Sequence, residues 1–133
     1  MVAAIKDGHP HQGRAASEVN RRFASGETLV LAAHALSEAY AILTGTYRVP
    51  PRVARRALDG SFVGLADQIV ALDAGSYRGV LEGAPDRGIV GGRIYDALIA
   101  ECARLAGVET PLTFNDRHFE SLVSPPTQVV VPA

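Results

Sequence analysis

Several absences narrow the field before any motif is read. The 133 residues include one cysteine, Cys102, and no tryptophan. A lone cysteine rules out a disulfide framework within the chain and suits a reducing compartment. Charge of one sign is not in excess: the formal net charge is -1. No global field steers the chain toward nucleic acid, so any such contact needs a local patch or a metal. No apolar run approaches the roughly 20 residues that span a bilayer. The opening "MVAAIKDG" is too short for a secretory signal, and a cytoplasmic location with no membrane partner is expected. No glycine loop of the GxxxxGK[ST] kind is present, which argues against a nucleotide-hydrolysing phosphohydrolase. At 14.0 kDa, residues 1–133 read as one domain with room for a single core.

What is there has the rhythm of βα units. "PHQGRAASEVNRRFA" (10–24) has helical spacing, with Gly26 as its stop. "ETLVLAA" (27–33) reads as a buried strand and leads into a helix over "HALSEAYAILTG" (34–45). "PPRVARRALDG" (50–60) is a helix with prolines in front, and "QIVAL" (68–72) a second strand. Asp73 is a plausible N-cap for a helix over 73–88. A further helix runs from about Ile94 to Ala106. "TPLTF" (110–114) and "TQVVVP" (127–132) complete four strands. Short apolar strands alternating with helices point to a parallel sheet covered by helices. Such sheets gather ligand groups at the carboxyl ends of their strands.

Three acidic positions answer to that rule. Glu38 falls in the first turn or so of the helix after "TLVLA". Asn115 and Asp116 directly follow "PLTF". Asp96 opens the apolar helix "RIYDALIAEC" behind Gly91 and Gly92. Each has a plain alternative: acids in a first turn gain about 0.3–1 kcal/mol from the helix dipole, and Asp116 could cap the turn carrying "RHFE". Together they suggest more, because half-buried carboxylates are costly unless paired or bound to a cation. Clustered oxygens of this kind suit Mg²⁺.

"GGRIYDALIAECARLAG" followed by "LTFNDRHFE" resembles the C-terminal half of PIN-domain ribonucleases, specifically VapC-type toxins. "VAAIKDGHPHQGRAASEV" and "ETLVLAAHALSEAYAILT" resemble the same family, in the same order, over nearly all of the chain. The resemblance implies a three-layer α/β/α PIN-like domain with a parallel sheet. It implies a metal-dependent endoribonuclease toxin using Mg²⁺, with Mn²⁺ as a substitute. An RNA substrate, a VapB-type antitoxin that neutralises the toxin, and a homodimer come with it. The family's acidic site has about four positions. By match the second is Glu38 in "LSEAY" and the third Asp96 in "IYDAL". The fourth falls on Asn115 or its neighbour Asp116. Glu38, Asp96 and Asp116 are thus the expected catalytic acids, with Asn115 joining them as metal-holding oxygens. Thr113 is expected to position the site, and Arg93 or Arg117 to hold phosphate charge. The chain opens at a stretch matching the segment just after the family's first strand. That strand and its Asp are therefore expected to be missing, since Asp7 matches a later position. The alternative is a truncated, catalytically weak module that binds an antitoxin or dimer partner without cutting RNA.

Other residues carry less. His9 and His11 flank Pro10 with no third His or Cys nearby, and read as a solvated helix entry. His118 lies near the expected site and could contact RNA, but reads first as packing beside Phe119. Arg48, Arg52, Arg55 and Arg56 could line one side of a helix that either meets phosphates or is simply solvated, and "VARRALDG" could equally contact an antitoxin or a second protomer through Val53, Ala57 and Leu58.

Overall fold

The computed structural model describes all of residues 1–133. The chain divides into two compact units, Met1–Ile69 with Pro132–Ala133, and Val70–Val131.

The first unit opens with a short helix α1 (Val2–Ile5) and the longer α2 (Gln12–Ala24). On α2, Glu18 receives Arg21 and Arg22 at 2.7 Å each, three and four residues along. These two guanidinium groups hold the Glu18 carboxyl down at about 2. Strand β1 (Val30–Ala32) passes straight into α3 (Ala33–Ala41). The helix then widens into one π-helical turn, Ile42–Thr46, closed by Tyr47 N–H on Ile42 O at 3.1 Å. Gly45 therefore lies inside the extra turn and does not stop the helix. Helix α4 (Pro51–Ser61) starts with proline at its first position, where a missing N–H costs nothing. After a 3₁₀ turn, Val63–Leu65, strand β2 (Gln68–Val70) pairs in parallel with β1. Leu29 O accepts from Asp67 N–H and Gln68 N–H at 2.9 and 3.3 Å. The Asp67 carboxylate in turn accepts from Leu29 N–H at 2.7 Å. Ala39, Leu43, Ala54 and Leu58 form this unit's core, drawn from α3, the π turn and α4. Small alanines on facing helices let the backbones approach closely.

The second unit holds α5 (Ala74–Gly83), α6 (Arg93–Leu105) and α7 (Asp116–Glu120). Asp73 caps α5 as the sequence suggests, its Oδ1 accepting from Ser76 N–H at 2.7 Å. On α6, Ala97, Leu98, Ala100, Cys102 and Ala103 are buried at helical spacing. Ala97 joins Ala84 and Ile89 in a core over which Val80, Ile94 and Leu122 pack.

The α/β class is as expected, but two of the four strands are not. The runs around 110–114 and 127–132 meet only in an isolated parallel bridge, Leu112 to Val130. Their ladder is short: Thr113 N–H to Val130 O, Val130 N–H to Pro111 O, Gln128 N–H to Glu109 O. Pro111, Pro126 and Pro132 cannot donate to a ladder, and their spacing limits it to this length. Helix α7 replaces the expected turn after Asn115.

Candidate active site

The second unit brings together residues that are widely spaced in the chain. Val90 O, Gly91 O and Gly92 O accept the first amides of α6, from Arg93, Ile94 and Tyr95. Gly91 has φ 58°, a left-handed backbone that glycine adopts at no cost. This entry sets Asp96 in the first turn of α6, just before the buried run from Ala97. Its side chain is only 18% exposed. A carboxylate at that depth requires partners.

Asn115 is the first partner. The short parallel bridge delivers Thr113 at the carboxyl end of its segment, and Thr113 Oγ1 accepts from Asn115 N–H at 2.9 Å. That bond turns the chain so that the Asn115 amide donates to Asp96 Oδ2 at 3.2 Å. Asn115 is also the N-cap of α7, yet its side chain makes no cap bond. An asparagine at this position ordinarily accepts from the first helical amides, worth about 1 kcal/mol. Here the amide serves Asp96 instead.

His118 is the second partner, one turn along α7. Its Nδ1 lies 2.8 Å from Asn115 Nδ2 and 3.3 Å from Asp96 Oδ2. Nδ1 accepts from the Asn115 amide when bare and donates to Asp96 when it carries a proton. Its nearness to the site is as the sequence suggests, and its contacts there are polar.

The remaining expected residues are placed as follows. Asp116 opens α7, half-buried, and makes no hydrogen bond to the cluster. It does not cap the helix, because Asn115 occupies the cap. Arg93 donates through Nη2 to Ser121 Oγ at 3.3 Å, and Ser121 Oγ donates to His118 O at 3.0 Å. Arg93 Nε is enclosed without a hydrogen-bond partner. Arg117 is exposed. Glu38 belongs to the first unit. It is half-buried on α3 and lies beyond the first turn, which holds no acid. The helix begins at Ala33, earlier than its sequence suggests, so dipole stabilisation is not what places a carboxylate there.

No three His, Cys, Asp or Glu side chains converge in the manner of a closed metal cage. The side chains that do meet are the Asp96 carboxylate, the Asn115 carboxamide through its nitrogen, and the His118 ring. Of these the carboxylate alone presents oxygen at the contact, which suits a cation that keeps several of its waters. Cys102 offers no alternative chemistry. Its thiol is buried, 3.6 Å from Val70 O, and burial pushes it up and away from the reactive thiolate.

An acid opening a buried helix, met by an asparagine just past a parallel strand segment, defines a class. The chain belongs to the PIN-domain family, whose model matches residues 1–123. Within that family it aligns with VapC-type members. It is 34% identical over 112 residues to Ribonuclease VapC40 of Mycobacterium tuberculosis, strain CDC 1551 / Oshkosh. The same holds for Ribonuclease VapC40 of strain ATCC 25618 / H37Rv. The alignment covers 82% of this chain and 77% of each relative. No solved structure matches. No helix is long and apolar enough to cross a membrane.

Proposed function

We propose that the chain is a metal-dependent endoribonuclease toxin of the VapC type, with Asp96 as its central carboxylate. The likeness to two proteins named as ribonucleases supports the class of reaction. The observation that carries the site is Asn115, whose amide leaves its own helix uncapped and turns onto Asp96. A helix gives up a cap where another demand on the side chain is greater. The family match over residues 1–123 crosses both units and supports reading them as one PIN domain.

In the second unit Asp96, Asn115 and Asp116 are the oxygen donors assigned to a divalent cation, Mg²⁺ or Mn²⁺, which supplies Lewis-acid activation of the phosphodiester when bound; Glu38 is the acid assigned to that role in the first unit. Thr113 fixes the backbone that aims Asn115. Arg93, anchored on Ser121, and Arg117 hold the phosphate charge. The proposal includes a VapB-type antitoxin, a homodimer and a cytoplasmic location.

The test is RNA cleavage by the parent chain and by Asp96→Asn, with Mg²⁺, with Mn²⁺ and with a chelator. Cleavage by the parent is expected to stop with the chelator. The Asp96→Asn rate is expected to fall by about 10²–10³, the scale for losing one charge-stabilising group. Equal cleavage by the two proteins would overturn the assignment.

A further inference from the structure

The outer face of α4 is built against its own stability. Arg52, Arg55 and Arg56 are all exposed. Arg55 is neutralised by Asp59 one turn along. Arg52 and Arg56 stand four residues apart, one above the other, with no acceptor. Like charges at that spacing repel. The helix's first turn contains Arg52 and no acid, and its last turn holds Asp59 and no base. That polarity is the reverse of what a helix dipole favours. Arg48, in the turn just before α4, is exposed and also unpaired. It is the one non-glycine residue with a left-handed backbone, φ 52°. The other arginines of this unit are satisfied: Arg21 and Arg22 on Glu18, and Arg14 against His11.

We propose that Arg48, Arg52 and Arg56 form a contact surface for the phosphate backbone of single-stranded RNA. It rests on the reading above that RNA is the substrate. Guanidinium groups without protein acceptors match phosphate oxygens in charge and geometry. A patch of this kind supplies sequence-independent, salt-sensitive affinity. It answers the need set by the overall charge of -1, because a nearly neutral protein can hold a polyanion only through a local concentration of cations.

The test measures binding of a fluorescent single-stranded RNA of about 12 nucleotides across a KCl series. Asp96→Asn with a chelator serves as the background, so that binding is read without cleavage. Adding Arg52→Gln and Arg56→Gln is expected to flatten the slope of log affinity against log salt by about 1.4, two phosphate contacts at about 0.7 each. Affinity at low salt is expected to fall about tenfold. Arg21→Gln, on the paired side of the unit, should leave the slope unchanged. An unaltered slope in the double variant would overturn the proposal. So would loss of poly-glutamate binding with RNA binding intact, which would assign the face to an acidic protein partner. If the parent cleaves RNA while the slope stays unaltered, only this inference falls. If the slope flattens but no cleavage occurs, only the enzymatic reading falls.

Discussion

Helices α4 and α6 do the same work on their inner sides and opposite work on their outer sides. Both bury alanine and leucine at helical spacing, Ala54 and Leu58 in one, Ala97, Leu98, Ala100 and Ala103 in the other. The charges of α6 agree with its dipole: Asp96 in the first turn, and Arg104 in the last, paired with Glu101 at 2.7 Å. Those of α4 run the other way. For α6, stability and function ask for the same residue at the same place, so Asp96 is ambiguous when viewed alone. In α4 they disagree, and the disagreement exposes the functional demand. A charge that obeys every local rule needs a partner across the fold to reveal its purpose. A charge that breaks the rules reveals it directly.

The comparison can be broken first on the buried sides. Leu58→Ala and Leu98→Ala are each expected to cost about 2–5 kcal/mol in chemical denaturation, since the two leucines are 6% and 3% exposed. A mild effect at either would mean that the two helices do not share the core's burden. On the outer side of the α6 site, Asn115→Ala is expected to slow RNA cleavage about 10–100-fold, the scale for losing an orienting group. Its stability should change by less than about 1 kcal/mol, because the side chain does not cap α7. A stability loss without a rate loss would return Asn115 to a purely structural role. Arg52→Glu should sharpen the contrast from the opposite direction. It corrects the polarity of α4 and is expected to raise stability by about 0.3–1 kcal/mol, measured by denaturant titration, while RNA affinity falls.

The smallest effect concerns the cap of α5. Hydrogen bonds from Ser76 hold the Asp73 carboxyl below its ordinary value of 3.8. A carboxyl depressed in the folded state contributes stability above that ordinary value and loses it as pH falls through the lower, folded one. Asp73→Ala should therefore lower the melting temperature at neutral pH. The difference from the parent should close under strongly acidic conditions, below the folded carboxyl's own titration.

Where local chemistry decides structure, the sequence is legible. The Asp73 cap, the prolines opening α4 and the apolar spacing of α6 each act within one turn, and each lies where the residues indicate. The third and fourth strands were over-read. "TPLTF" and "TQVVVP" have the right side chains for strands, but their prolines remove the donors a longer ladder needs. Helix α7 was missed because five residues are too few to display a helical period. Glu38 is the sixth residue of α3, just beyond the first turn, because Ala33, a strong helix former, joins the helix directly after β1. The pairing of Asp96 with Asn115 spans 19 residues, and no periodicity reports on it. The rule that ligand groups gather at strand ends groups the two, and the resemblance to a family assigns them one site. His118 lies outside that resemblance's acidic positions; its place beside the site is legible in the sequence, but its contact with Asp96 comes from the packing of α6 against α7.

The uncapped start of α7 has a consequence in time. Five residues are well short of the roughly 12–15 an isolated helix needs to persist in water. With no side chain closing its first turn, α7 depends on the links from Asp96 and Arg93 to stay wound. Its amides, those of His118 and Phe119 onto Asn115 O at 3.1 and 3.3 Å, should be among the first in this unit to exchange with deuterated solvent. The amides of α6 should be among the last. The site is thus assembled from a slow half and a fast half. Asp96 stands on the half that keeps still, and Asn115 and His118 arrive on the half that breathes.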